Sequence, residues 1–345
     1  MKKIIYMSLT LIAGLQSCKK SVNWVADDYK TPGVSYEVPS GAYVADNNFK
    51  IVAYYAEANE PDSIADEKYK MITHLHYAFA YPNADGTIKA LTKPANFTKV
   101  MKKAKENGVK RAVSFAGTET IYSAIAADPI LRSKLVKNII KMALENDLDG
   151  IDIDWEYPRS NLSNDITYEA FMKELSVGLH KYHKYLSSAV TAGVYAGGVK
   201  DGINKAAIDA TDFVNLMAYD GAGWSGDSNH SSYKLAEDVL NVWLNEKGLP
   251  KEKAVLGFPA YGKDTGSPAK SMTYRNLLIK GASSDQNSFT VDGVLYYYNG
   301  VPLVKSKATL AKTRANGMMM WEFYQDTNGG NSLLKAANDA LGRKY

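Results

Sequence analysis

The chain has 345 residues, 46% hydrophobic and 23% charged, which suits a soluble globular protein with one large core or two small ones. A formal charge of +4 is slight over this length, and no dense Lys/Arg run follows the N-terminus, so there is no electrostatic footprint for a nucleic-acid partner. Cys18 is the only cysteine, which excludes a disulfide framework within the chain.

Lys2 and Lys3 precede an apolar run from Ile4 to Leu15, too short to span a bilayer and patterned like a signal peptide. It ends in Leu15-Gln-Ser-Cys18, which resembles a bacterial lipobox whose cysteine is acylated and becomes the first mature residue. The expectation is a lipoprotein signal over 1–17 and lipid attachment at Cys18. The location would be the cell envelope, with the outer membrane favoured; an ordinary export signal with a chance cysteine is the alternative. Residues 18–48 read as a tether: polar, with Pro32, Gly33, Pro39, Ser40 and Gly41, and without sustained periodicity.

From residue 49 to 345 short apolar runs alternate with helix-like stretches. The predicted strands are Lys50–Ala56, His74–Ala80, Lys110–Phe115, Gly150–Glu156, Ser188–Tyr195, Asp212–Tyr219, Ala254–Ala260 and Gly317–Phe323. Between them the sequence predicts helices over Phe97–Asn107, Pro129–Glu145, Tyr168–Tyr185, Tyr233–Lys247 and Val304–Ala315. A short helix (Met272–Lys280) and a Tyr-rich hairpin (Phe289–Tyr298) fall before the last of these. Eight strand candidates with helices between them indicate an α/β fold, a (β/α)8 TIM barrel forming one catalytic domain. A doubly wound open sheet is the runner-up, but it lacks a Gly-rich turn after its first strand, where Tyr54-Tyr-Ala-Glu57 stands instead.

The fourth strand carries the chemistry: Asp149-Gly-Ile-Asp152-Ile-Asp154-Trp-Glu156. Residues two apart share a strand face, so Asp152, Asp154 and Glu156 point one way and Ile151, Ile153 and Trp155 the other. Pro158 ends the strand and leaves Glu156 at its C-terminal end, where barrel active sites form. Asp149 is out of phase and reads as structural. Two like charges about 4 Å apart repel by roughly 4 kcal/mol at an effective dielectric near 20. At least one of the three inward acids should therefore hold a proton near neutral pH, as protonation of a glycosidic oxygen requires. A metal site would recruit histidines or further acids, and none has ligand spacing. His74 and His76, two apart on the second strand, read as barrel filling or hydrogen-bonding groups, and His180 and His183 as surface or capping groups.

The strand resembles the DxxDxDxE signature of family-eighteen glycoside hydrolases, the chitinase family, with a chitinase-type Trp155-Glu156-Tyr157-Pro158 ending. His74-Leu-His-Tyr-Ala-Phe-Ala80, Leu216-Met-Ala-Tyr-Asp220, Leu256-Gly-Phe-Pro-Ala-Tyr-Gly262 and Gly317-Met-Met-Met-Trp-Glu-Phe323 resemble the family's second, sixth, seventh and eighth strands, in order. The resemblance implies a retaining, substrate-assisted mechanism and no cofactor. Glu156 would be the general acid, Asp154 would meet the substrate acetamido group, and Asp152 would share a proton with Asp154. Tyr219 resembles the residue that fixes the acetamido carbonyl, with Met217 and Asp220 on the same wall and Trp321 under the distorted sugar. Tyr54 and Ser114 resemble groups that support Asp152.

The third strand departs from the family's Ser-x-Gly-Gly ending: it reads Ser114-Phe-Ala-Gly-Thr118, so the aromatic platform is expected to be missing there; Trp224 is a candidate partial substitute, with a packing role as the equal alternative. The stretch Lys263–Asn316 is too short for a large insertion domain. The expected activity is endo-hydrolysis of β-1,4-linked N-acetylglucosamine, in chitin or its oligosaccharides, by a monomer that meets the membrane only through Cys18. Cleavage of the chitobiose core of N-glycans is the alternative within the family. A non-catalytic carbohydrate-binding lipoprotein is the alternative outside it, weakened by the presence of Glu156.

Overall fold

The computed structural model describes residues 36–345, so the signal peptide, Cys18 and the first part of the tether lie outside the described residues. Seven strands follow in chain order: β1 (Lys50–Ala56), β2 (His74–Ala80), β3 (Lys110–Thr118), β4 (Gly150–Glu156), β5 (Tyr185–Val190), β6 (Phe213–Leu216) and β7 (Ala254–Pro259). The chain then makes a small antiparallel sheet from β8 (Tyr261–Lys263), β9 (Ser271–Thr273), β10 (Ser288–Val291) and β11 (Val294–Tyr297), in the order β10-β11-β8-β9. Last, β12 (Gly317–Trp321) pairs in parallel with both β1 and β7 and closes an eight-stranded barrel. The (β/α)8 barrel expected from the strand count is the fold.

Alternation along β4 sends its apolar side chains outward and Asp152 and Asp154 into the barrel. Ile151, Ile153 and Trp155 join the layer between barrel and helices, where Trp155 stacks on Tyr122 at 5.0 Å. The barrel interior holds a second, smaller cluster that includes Val52, Tyr54, Tyr185, Phe213 and Met319. Removing each large apolar side chain from water contributes about 1.5–3 kcal/mol, so burial of Ile151, Ile153 and Trp155 keeps β4 from slipping by one residue.

Several boundaries differ from the sequence reading, each with a local cause. β5 starts at Tyr185 rather than Ser188 and stops at Val190, because Thr191–Tyr195 turns outward along the upper rim. β6 stops at Leu216, and Met217–Asp220 bends into the cavity wall, with Asp220 at φ 62°. β3 runs on to Thr118, paired with Glu156 across the sheet. The helix predicted over Tyr168–Tyr185 covers Asn164–His180, since His183 takes a left-handed turn at φ 52°. Helices Glu119–Ala127 and Leu333–Leu341 were not predicted. At the barrel's lower end, Tyr43 stacks on His180 at 4.1 Å and Asp46 pairs with Lys110 at 2.6 Å, so the last residues of the expected tether lie against the barrel.

Candidate active site

Asp152 is fully buried and accepts four hydrogen bonds from four different strands. Tyr54 Oη (2.8 Å, β1) and Ser114 Oγ (2.7 Å, β3) donate to Oδ2; Ser187 Oγ (2.6 Å, β5) and Asn215 Nδ2 (3.3 Å, β6) donate to Oδ1. Burial alone would raise its pKa. The neighbouring His76 and the Ser187 and Ser114 hydroxyls outweigh that penalty and hold the carboxyl below its ordinary value. Asp152 is an ionised, immobilised group.

Asp154, one step up the same face, is in the opposite situation. It is 5% exposed, and its Oδ1 has no hydrogen-bond partner. Burial first, then the charges of Glu156 and Asp152, push it well above the ordinary carboxylate range. These surroundings favour a proton on Asp154. Glu156, at the strand end, is exposed to the cavity.

These acids open into a cleft of about 780 Å³ at the C-terminal end of the barrel. Met217, Tyr219, Asp220 and Trp321 line it, as the sequence predicts, and Tyr54 reaches it from below. Trp321 lies parallel to Phe79 at 5.5 Å, an aromatic floor held flat by stacking. The Tyr219 hydroxyl is held well above its usual pKa by burial and by Asp154 and Glu156, so it stays a donor. Asp220 accepts from Tyr261 Oη at 2.6 Å and pairs with Lys263 at 2.9 Å. Burial would raise its carboxyl, but bonds from His230, Lys263 and Tyr261 hold it well below the ordinary range.

Residues 50–326 match the model of Glycosyl hydrolases family 18. The chain belongs to that family. It is 26% identical to Endochitinase 1 of Metarhizium robertsii over 99% of this chain and 94% of that protein. Chitinase ChiB from the chitin utilization locus of Flavobacterium johnsoniae superposes with a TM-score of 0.72 at 28% identity, covering 85% of this chain and 94% of that one. A chitinase from Bacteroides thetaiotaomicron shares the fold, with a TM-score of 0.73 at 24% identity over 86% of this chain and 99% of that one. The protein is therefore a glycosidase.

In this family-18 glycosidase Trp224 is not the substitute platform. It does not line the cleft: its indole N–H donates to Asp238 at 2.9 Å, and its ring meets Tyr195 edge-on at 5.1 Å. A bonded indole is committed to packing, and Tyr195 is the residue that reaches the cleft. Ala116, Gly117 and Thr118 line the cleft where the family's aromatic would follow, and Gly117 is locked small because a Cβ there would sit 2.5 Å from the Tyr122 ring. Sequence reasoning missed Ser187 and Asn215. A polar residue inside a buried strand such as Phe213-Val-Asn-Leu216 is the signal that could have found Asn215. His74 bonds Thr73 Oγ1 at 2.8 Å, as a core histidine does. His180 is tied to Asp212 at 2.9 Å and helps seal the lower end rather than facing solvent freely.

Proposed function

We propose that this glycosidase is an endo-acting, retaining enzyme that hydrolyses β-1,4-linked N-acetylglucosamine in chitin or its oligosaccharides, with the substrate's acetamido group as nucleophile. The observation that carries the reading is the Asp154 carboxyl, which lines the cleft beside Glu156 and whose buried Oδ1 has no protein partner. An unsatisfied buried polar atom costs about 1–3 kcal/mol, a cost a substrate N–H would relieve.

Glu156 protonates the glycosidic oxygen as the bond from that oxygen to the anomeric carbon breaks. The acetamido carbonyl oxygen attacks the same carbon from the opposite face and forms an oxazolinium ion. The unprotonated oxygen of Asp154 accepts the acetamido N–H, while the Tyr219 hydroxyl donates to the acetamido carbonyl oxygen and orients it. Glu156, now a carboxylate, removes a proton from water as that water attacks the anomeric carbon and the bond from that carbon to the acetamido oxygen breaks, so configuration is retained and the acid and the acetamido group are regenerated. Trp321 supports the distorted sugar from below. Acylation of Cys18 and residence at the cell envelope belong to the same proposal and rest on the N-terminal sequence. Labelling with a fatty-acid probe, present in the wild type and lost in Cys18→Ser, is the expected outcome.

The substrate reading is tested by incubating the protein with N-acetylated chito-oligosaccharides, fully deacetylated oligomers and a high-mannose glycopeptide. Cleavage of the acetylated oligomers alone is expected. Equal turnover of the deacetylated set would exclude the acetamido nucleophile, and cleavage of only the glycopeptide would move the substrate to N-glycans.

A further inference from the structure

Beneath the acids lies a buried group that the mechanism above does not use. His76 of β2 is fully buried inside the barrel, with Nδ1 3.6 Å from Asp152 Oδ1 and Nε2 3.2 Å from the Tyr185 hydroxyl. Its Nδ1 has no nearer partner. The ring is packed edge-on to Tyr54 at 4.9 Å and lies near-parallel to Tyr185 and Phe213. The titratable groups facing it are Asp152 from β4, Tyr54 from β1, Tyr185 from β5 and His74 from its own strand. Burial holds both tyrosines firmly protonated and His74 firmly neutral, so Asp152 is the charge His76 meets.

We propose that His76, oriented by Tyr185, is a positioning residue that keeps Asp152 ionised and so leaves the proton of the acid pair on Asp154. Two contacts fix the tautomer. A ring proton on Nδ1 faces Asp152, and Nε2 is then left to accept from the Tyr185 hydroxyl. The opposite tautomer would set a lone pair against the carboxylate. With Nδ1–H aimed at Oδ1, negative charge is favoured on Asp152, and repulsion from it favours the proton on Asp154. The inference rests on the role given to Asp154 above, and its first test is independent of that role.

In protein labelled with ¹⁵N-histidine, the His76 resonances are identified by their loss in His76→Asn, and the wild type is expected to show the Nδ1–H tautomer. Tyr185→Phe, which keeps the ring and removes the donor, is expected to give a tautomer mixture. The second test is the pH–rate profile on a chito-oligosaccharide. Loss of a donor to a carboxylate raises its proton affinity, so in Tyr185→Phe the carboxyl limbs move to higher pH. There kcat falls about tenfold as the proton shifts toward Asp152, with KM little changed. His76→Asn, which retains an N–H donor, keeps more activity than His76→Leu. An Nε2–H tautomer in the wild type, or limbs that stay fixed in Tyr185→Phe whatever happens to kcat, overturns the proposal. Wild-type protein that shows the Nδ1–H tautomer but does not cleave chito-oligosaccharides would instead refute the substrate reading alone.

Discussion

The two ends of the barrel are built from the same eight strands and treat their charges in opposite ways. At the lower end a cavity of about 320 Å³ is lined by Asp46, Lys50, Lys110, Asp149 and Asp212. Lys110 pairs with Asp46, Lys50 Nζ donates to Asp46 O at 2.7 Å, Asp149 accepts the Arg111 N–H at 2.7 Å, and Asp212 accepts from His180 and from the Leu186 N–H. At the upper end Asp154 is buried with an oxygen that nothing satisfies. The paired charges of the lower end hold the fold together, whereas the Asp154 carboxyl lines the cleft with one oxygen unpartnered. Asp149 and Asp154 belong to one short sequence motif, yet they fall on different sides of this division.

The sharpest way to break the comparison is to exchange stability for activity at each end. Asp154→Ala removes a carboxyl whose burial opposes folding and opens space only into the cleft. Its kcat is expected to fall about 10²–10³-fold while its melting temperature holds or rises. Tyr219→Phe removes one oriented donor and should cost about tenfold in kcat, read on the same oligosaccharide. Asp149→Asn weakens the acceptor for the Arg111 backbone and guanidinium. It should lower unfolding free energy by about 1–3 kcal/mol in a urea titration, with kcat per folded molecule within about twofold of wild type.

Glu322 sharpens the contrast from the upper end, where it follows Trp321. Burial pushes its carboxyl up to about 7, although it takes hydrogen bonds from Tyr324 N and Asn59. Its folded pKa exceeds the ordinary value of 4.5, so the native state keeps a proton that the unfolded chain has released. Stability is then full below about pH 4.5 and is lost as pH rises toward about 7, by at most about 1.4 kcal/mol per pH unit. Glu322→Gln should flatten that slope in denaturation curves taken across the interval.

Much of this was legible in the sequence because it is local. The alternation of Ile151, Ile153 and Trp155 against Asp152, Asp154 and Glu156 sets which face each side chain occupies, and Pro158 sets where the strand stops. The partners of Asp152 were only half legible. Tyr54 and Ser114 came from resemblance, whereas Ser187 and Asn215 stand 35 and 63 residues away and meet Asp152 only once the barrel closes. The same holds for His76, whose spacing with His74 gives a shared face but not the Tyr185 hydroxyl above one nitrogen. For Trp224 the sequence left platform and packing equally open, because its indole partner, Asp238, lies on the following helix, beyond any local pattern. The three- and four-residue strands β8–β11 are too short to show a period of two, so only the hairpin was foreseen.

In the proposed mechanism Glu156 is the acid, and its neighbour Asp154 holds the reacting acetamido group instead of acting as a second carboxylate nucleophile. Glu156→Gln tests it most directly, being nearly isosteric and unable to protonate a leaving oxygen. Steady-state kcat on an N-acetylated chito-oligosaccharide should fall by about 10²–10⁴-fold with the melting temperature unchanged. Turnover within a few-fold of wild type would contradict the account.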